Sequence, residues 1–181
     1  QAVEWYTNEA VRKALRAEST GDIANAKLFG NKAIESDLKA QGLRNETAAA
    51  WQAAGKPANA QATWHRAAEM AKERAAMSSN RIAPLRSQWL MSAGKALPDE
   101  QEHEILYLQS VFLTAQQWAL VVDFYKSAAE PDQAKAAIEQ LQALLPSLQR
   151  NNRLTVLAPD TRLVGSVEQL QAWQKLVSRA P

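Results

Sequence analysis

At 181 residues the chain is long enough to bury about 70% of the surface that its unfolded form would expose, so it can fold on its own core. It contains no cysteine, which excludes a disulfide framework, thiolate metal sites and a cysteine nucleophile. Its 21 basic and 19 acidic residues leave a formal charge of +2 and are mixed along the chain, so no Lys/Arg stripe argues for a nucleic-acid partner.

Alanine supplies 35 of the residues, against 6 glycines and 7 prolines. Alanine is the best helix former and lets helices approach closely, so an all-α class is expected. The longest apolar stretch, Ser110 to Val122, is interrupted by Gln116 and Gln117 and is shorter than the ~20 apolar residues a membrane span needs, so no transmembrane segment is expected. The chain opens on Gln1 and not on Met, as a processed product or a trimmed chain would. That start and the absence of cysteine fit an exported bacterial protein, periplasmic or membrane-anchored, with the cytoplasm as the alternative.

An internal repeat organises the first part of the chain. Gly21-Asp22-Ile23-Ala24-Asn25-Ala26 is echoed by Gly55-Lys56-Pro57-Ala58-Asn59-Ala60, 34 residues on. Ala14 and Ala48 keep the same interval, as do Ala33 and Ala67, and the zone of Phe29 and Gly30 falls on Thr63 and Trp64. Two antiparallel helices joined by a tight turn need glycine at the turn and small side chains where the helices cross.

Ala48, Trp51, Gly55, Ala60, Trp64 and Ala67 stand where the tetratricopeptide repeat family places small, aromatic, glycine, alanine, aromatic and alanine residues, and residues 41–74 resemble one such unit. Residues 7–40 share Ala14, Gly21, Ala26 and Ala33 but carry Lys13, Ala17 and Gly30 at positions that are usually apolar or aromatic. The resemblance implies antiparallel helix-pair repeats in a short right-handed superhelix, with two units over 1–74. Both lack the closing proline, Ala40 and Lys72 standing near its place, so the last helix can run past residue 74. A linking helix over 75–98 follows, and Ser78-Ser79-Asn80 with Pro84 predicts an end to the long helix there.

Beyond it the pattern is helical and irregular. Pro98-Asp99-Glu100-Gln101-Glu102 is a capping-box arrangement that starts a helix near Asp99. Ile105, Leu108 and Phe112 follow at helical spacing, and then Gln116-Gln117-Trp118 reads as a turn. Residues 102–135 can be laid on a third unit, with Gln116 for the glycine and Val121 for the alanine, or belong to an appended bundle within 99–150. Pro131-Asp132 starts a further helix through Ala137, Ile138, Leu141 and Leu144 to Leu145, before Pro146. The last segment, 151–181, reads as an extended linker at Arg153–Ala158 and a closing helix with Leu170, Trp173 and Val177 that caps the array.

No phosphate loop, zinc-protease helix, nucleophile elbow or dinucleotide fingerprint is present, so the expectation is a non-enzyme with no cofactor and no metal site. Glu102-His103-Glu104 is the sole acid–base cluster. Neighbours on a helix point apart, so it reads first as an acidic helix start with an exposed histidine. Arg81 and Arg86 read as a solvated face, and His65 as a surface or interface residue. Trp51 and Trp64 occupy repeat core positions, Trp5 is a possible cap, and Trp89 is a candidate exposed anchor.

The family resemblance implies a concave groove lined by the first helix of each unit. Carried onto this chain, its positions are Asn8, Val11, Arg12, Leu15, Asn45, Ala49 and Gln52, with Leu106 and Ser110 if a third unit exists. Asn8, Arg12 and Asn45 are the only polar residues suited to clamping a peptide carboxylate. The expected function is therefore a scaffold that binds a partner protein or peptide in a bacterial envelope assembly. The alternatives are a self-associating homodimer built on the long helix through Met77, and a small-ligand carrier using Glu102, His103 and Glu104.

Overall fold

The computed structural model describes residues 2–93, 100–149 and 167–178. It is all-helical over them, with α1 at Ala2–Ser19, α2 at Ile23–Ala53, α3 at Pro57–Ser92, α4 at Glu100–Ser127, α5 at Pro131–Gln149 and α6 at Val167–Ser178. The chain divides into two compact units, Gln1–Thr63 and Trp64–Pro181.

The first unit is a helical hairpin with an alanine seam. Ala14 and Ala17 on α1, and Ala26, Ala33, Ala40 and Ala48 on α2, are all buried. They recur every three, seven or eight positions, which keeps them on one face of each helix. Gly21 closes the turn at φ 72°. Its amide donates to Glu18 O at 3.0 Å and the Asp22 amide to Ala17 O at 2.8 Å, the paired bonds of a Schellman end in which glycine takes the left-handed position. Asp22 then caps α2, accepting from the Asn25 amide at 3.1 Å and from Asn25 Nδ2 at 2.7 Å. Gly55, at φ 69°, repeats the turn with bonds to Gln52 O and from Lys56 N to Trp51 O. The 34-residue echo is thus an echo of turn chemistry.

The helices between the turns are long. α2 has 31 residues and passes unbroken through 40–41, where the repeat frame sets a boundary. No proline stands there, and Gly42 alone costs a helix only about 1 kcal/mol.

The second unit packs the remainder of α3 with α4, α5 and α6. Its core joins Ala67, Ala68 and Ala71 of α3 to Leu120, Val121, Val122, Phe124 and Tyr125 of α4 and to Ala134, Ala137 and Ile138 of α5. α3 and α4 run antiparallel, as their cross-contacts pass from Phe124 and Tyr125 back to Tyr107 along α4 while ascending α3 from Trp64 to Trp89. Trp64 stacks on Phe124, Glu69 meets Tyr125, Arg74 meets Gln117 and Trp89 stacks on Tyr107. From α6, Trp173 packs on Phe112 with ring centres 5.1 Å apart, and Leu176 and Val177 lie against the core.

Several expectations change here. α3 does not end at Ser78–Asn80 but runs 36 residues to Ser92 with Pro84 inside it. The buried stripe of Ala71, Ala75, Ser78, Leu85 and Ser92 continues past the proline, so packing outweighs the lost backbone bond. Pro146 is likewise inside α5, between buried Leu145 and Leu148. The turn expected at Gln116–Trp118 is helix. Gln117 is buried and accepts from Arg74 Nε at 3.2 Å, so it is a core polar residue and no turn glycine's substitute. The chain reverses instead at Ala128–Glu130. There the Ala129 amide donates to Lys126 O and the Glu130 amide to Tyr125 O, the bonds of the two glycine turns, with Ala129 at φ 61°. α5 starts at Pro131 and a last helix carries Trp173, as read from the sequence. The extended stretch Arg153–Ala158 lies outside the described residues.

His103–Ser127 is long and apolar enough to cross a membrane by length and composition, but 78% of that window is buried inside the fold, as in a core helix covered by its own neighbours.

Candidate functional site

The described surface has an open groove of about 580 Å³ along the α1–α2 hairpin, within the roughly 300–1,000 Å³ of ligand clefts. α1 contributes Tyr6, Glu9, Ala10 and Lys13, and α2 contributes Phe29, Lys32, Glu35, Ser36 and Lys39. These residues flank the alanine seam. The seam draws the two backbones together, and the longer side chains beside it form the walls.

The Phe29 ring is the floor. The Lys13 ammonium lies 5.6 Å from its centroid and the Lys32 ammonium 5.5 Å, both within cation–π range. Tyr6 stands at the rim, 64% exposed. Glu9 is held by Arg12 on its own helix at 3.7 Å. Lys13, which departs from the repeat pattern, is therefore a wall residue of the groove.

The residues expected to line a groove fall elsewhere. Taking about 100° of rotation per residue, Asn8, Arg12 and Leu15 gather on the side of α1 opposite Tyr6, Glu9, Ala10 and Lys13. Asn45, Ala49 and Gln52 are exposed but lie beyond Lys39 along α2 and on another side of that helix. Val11 is half-buried. Leu106 and Ser110 are 6% and 1% exposed, inside the second unit's core and closed to any partner. A helix carries two wet sides beside its buried seam, and sequence spacing alone did not tell which of them is concave.

A polar cluster in the second unit also escaped the sequence reading. His65, Glu69 and Lys72 recur on one face of α3. The Tyr125 hydroxyl donates to the Glu69 carboxylate, Lys72 lies 3.7 Å from Glu69, and His65 Nδ1 is 2.8 Å from Glu130 Oε1. The Tyr125 bond holds the Glu69 carboxyl below its ordinary value against the opposing effect of burial. Burial first, and Glu69 second, push the tyrosine hydroxyl up. The cluster ties α3 to the α4–α5 turn, with His65 exposed as a surface residue. Among the described residues no group of three or more His, Cys, Asp or Glu could hold a metal ion.

Other candidates are used in packing. Trp89 stacks on Tyr107 at 5.4 Å and 15°, so it is covered and not an exposed anchor. Trp64 packs against the core, Trp51 is half-buried beneath the Lys56 ammonium at 5.4 Å, and Trp5 lies within α1. His103 is half-buried and Glu104 is 7% exposed, so this helix start is not the solvated turn that was expected; the Glu102 side chain lies outside the described residues. Arg81 is half-buried, with burial pushing its guanidinium down to about 10, whereas Arg86 is exposed. Comparison of the chain with protein-family models, with curated proteins and with solved structures gave no match.

Proposed function

We propose that this protein is a non-enzymatic helical scaffold that binds a segment of a partner protein in the α1–α2 groove. One observation carries the reading: an open cleft on a helical hairpin, with the half-buried Phe29 ring and exposed charged side chains in its lining. Aromatic side chains offer contact area at small entropic cost, and cationic ones beside them add electrostatic complementarity to a partner. The tetratricopeptide-like reading of residues 7–74 belongs to this proposal and is supported by the matching turns at Gly21 and Gly55, 34 residues apart.

The test is capture of partners from a native extract on the full chain and on two paired variants. Phe29→Ala with Lys32→Glu alters the groove, and Asn45→Glu with Gln52→Glu alters the face that the family resemblance suggested. Loss of the same partner with the first pair and retention with the second is the expected result. The reading fails if the groove pair captures the partner as well as the wild type does.

A second reading, self-association, is favoured by one feature. Leu90 and Met91 at the end of α3 are 54% and 63% exposed, an apolar pair that a second copy would cover. A solution mass that stays monomeric at high micromolar concentration removes it.

A further inference from the structure

The groove's charges specify its occupant more closely than its shape does, and the inference from them rests on the scaffold reading above. Lys13 and Lys32 converge on one ring, so two like charges sit no further apart than the sum of those two short distances. Lys39 follows Lys32 by seven residues, about 10.5 Å along the helix axis. Among the described residues, none of these three ammonium groups has a carboxylate within ion-pair distance, and the nearby Glu9 pairs with Arg12. The hairpin thus sets three lysines against the two glutamates Glu9 and Glu35 in this groove, a net positive lining, with two of the lysines over the Phe29 ring.

We infer that the groove takes an acidic segment of a partner protein, with carboxylates about 10 Å apart set against Lys32 and Lys39 and an apolar side chain seated on Phe29 beneath Tyr6. That spacing is two turns of a helix or about three residues of extended chain. A single small anion reaches the Lys13–Lys32 end and leaves Lys39 unanswered. A nucleic acid carries a phosphate at every nucleotide and would need a longer basic track than the three lysines of this groove. A flat bilayer surface cannot follow a concave floor.

The inference is tested by selecting a random-peptide library on the full chain and on the Lys13→Glu/Lys32→Glu/Lys39→Glu variant, with circular dichroism to verify that the variant keeps its helices. The wild type should enrich acidic peptides bearing an aromatic or large aliphatic residue. Their affinity should fall about ten-fold or more in the variant, as three rim pairs turn repulsive, and should weaken with salt. The Lys13→Gln/Lys32→Gln/Lys39→Gln variant should lie between the two. Enriched peptides that compete for the groove but carry no acidic bias would overturn the charge inference and leave the scaffold reading standing. Peptides insensitive to both the lysine variants and Phe29→Ala, or no enrichment at all, would overturn both. Phosphatidylglycerol vesicles or duplex DNA displacing the selected peptides from the lysines would overturn the choice of an acidic protein segment.

Discussion

The two units use the same helix-reversal chemistry and opposite packing strategies. In the first, α1 and α2 meet along alanines, and the larger side chains Tyr6, Phe29, Lys13 and Lys32 are left beside the seam where solvent or a partner reaches them. In the second, Phe112, Phe124, Tyr125, Leu141 and Trp173 go inside, and even the glutamine at 117 is drawn into the core. A small-residue seam leaves bulky side chains available for recognition, whereas a large-residue core consumes them. The open groove therefore belongs to the unit with the thinner core.

The sharpest way to break this contrast is volume. Leu141→Ala in the second unit removes a fully buried side chain and should cost about 2–5 kcal/mol in denaturant unfolding. Ala26→Leu in the first unit adds volume to a closed seam and should cost about 1–3 kcal/mol. Equal tolerance of both changes would mean that the seam and the core are not different kinds of packing.

The turns give a finer test. Gly55 and Ala129 occupy the same left-handed position with the same hydrogen bonds. A Cβ added at Gly55 meets nothing within 4 Å, so Gly55→Ala reports backbone strain alone and should destabilise by about 1–2 kcal/mol. Ala129→Gly should stabilise by up to about 1 kcal/mol. Chemical unfolding of the two variants measures both, and shifts of the same sign would show that the turns are not equivalent.

The smallest effect is in pH. Glu69 is held below its ordinary 4.5 by the Tyr125 hydroxyl. Its contribution to stability is present above pH 4.5 and is lost as pH falls through the lowered folded value. Tyr125 is raised above its ordinary 10.0, so the unfolded state releases that proton first and stability declines as pH rises past 10. Glu69→Gln should flatten the acid limb of a stability–pH curve. An acid limb that keeps its slope would remove Glu69 from the account.

Much of the first unit was legible because its turns use glycine and its crossings use alanine, both visible at a 34-residue interval. The starts of α4 and α5 were legible from proline followed by acids. The course of α3 through Pro84 was not, because the buried stripe that overrides a breaker is visible only once α4 is packed against it. The reversal at Ala129 was hidden for lack of a glycine, and Gln116 drew the turn to a position where Arg74 instead binds Gln117. Of the groove, Lys13 stood out as a departure from the repeat pattern, and the seven-residue interval between Lys32 and Lys39 was there to be read. That Lys13 and Lys32 both flank Phe29 depends on the register of α1 against α2, which the alanine seam sets.

Chemical-shift mapping of the full chain, titrated with a peptide from the library selection, tests the central claim most directly. The account predicts perturbations concentrated on Tyr6, Lys13, Phe29, Lys32 and Lys39. Perturbations on Asn8, Arg12, Asn45 and Gln52, with the groove unmoved, would contradict it.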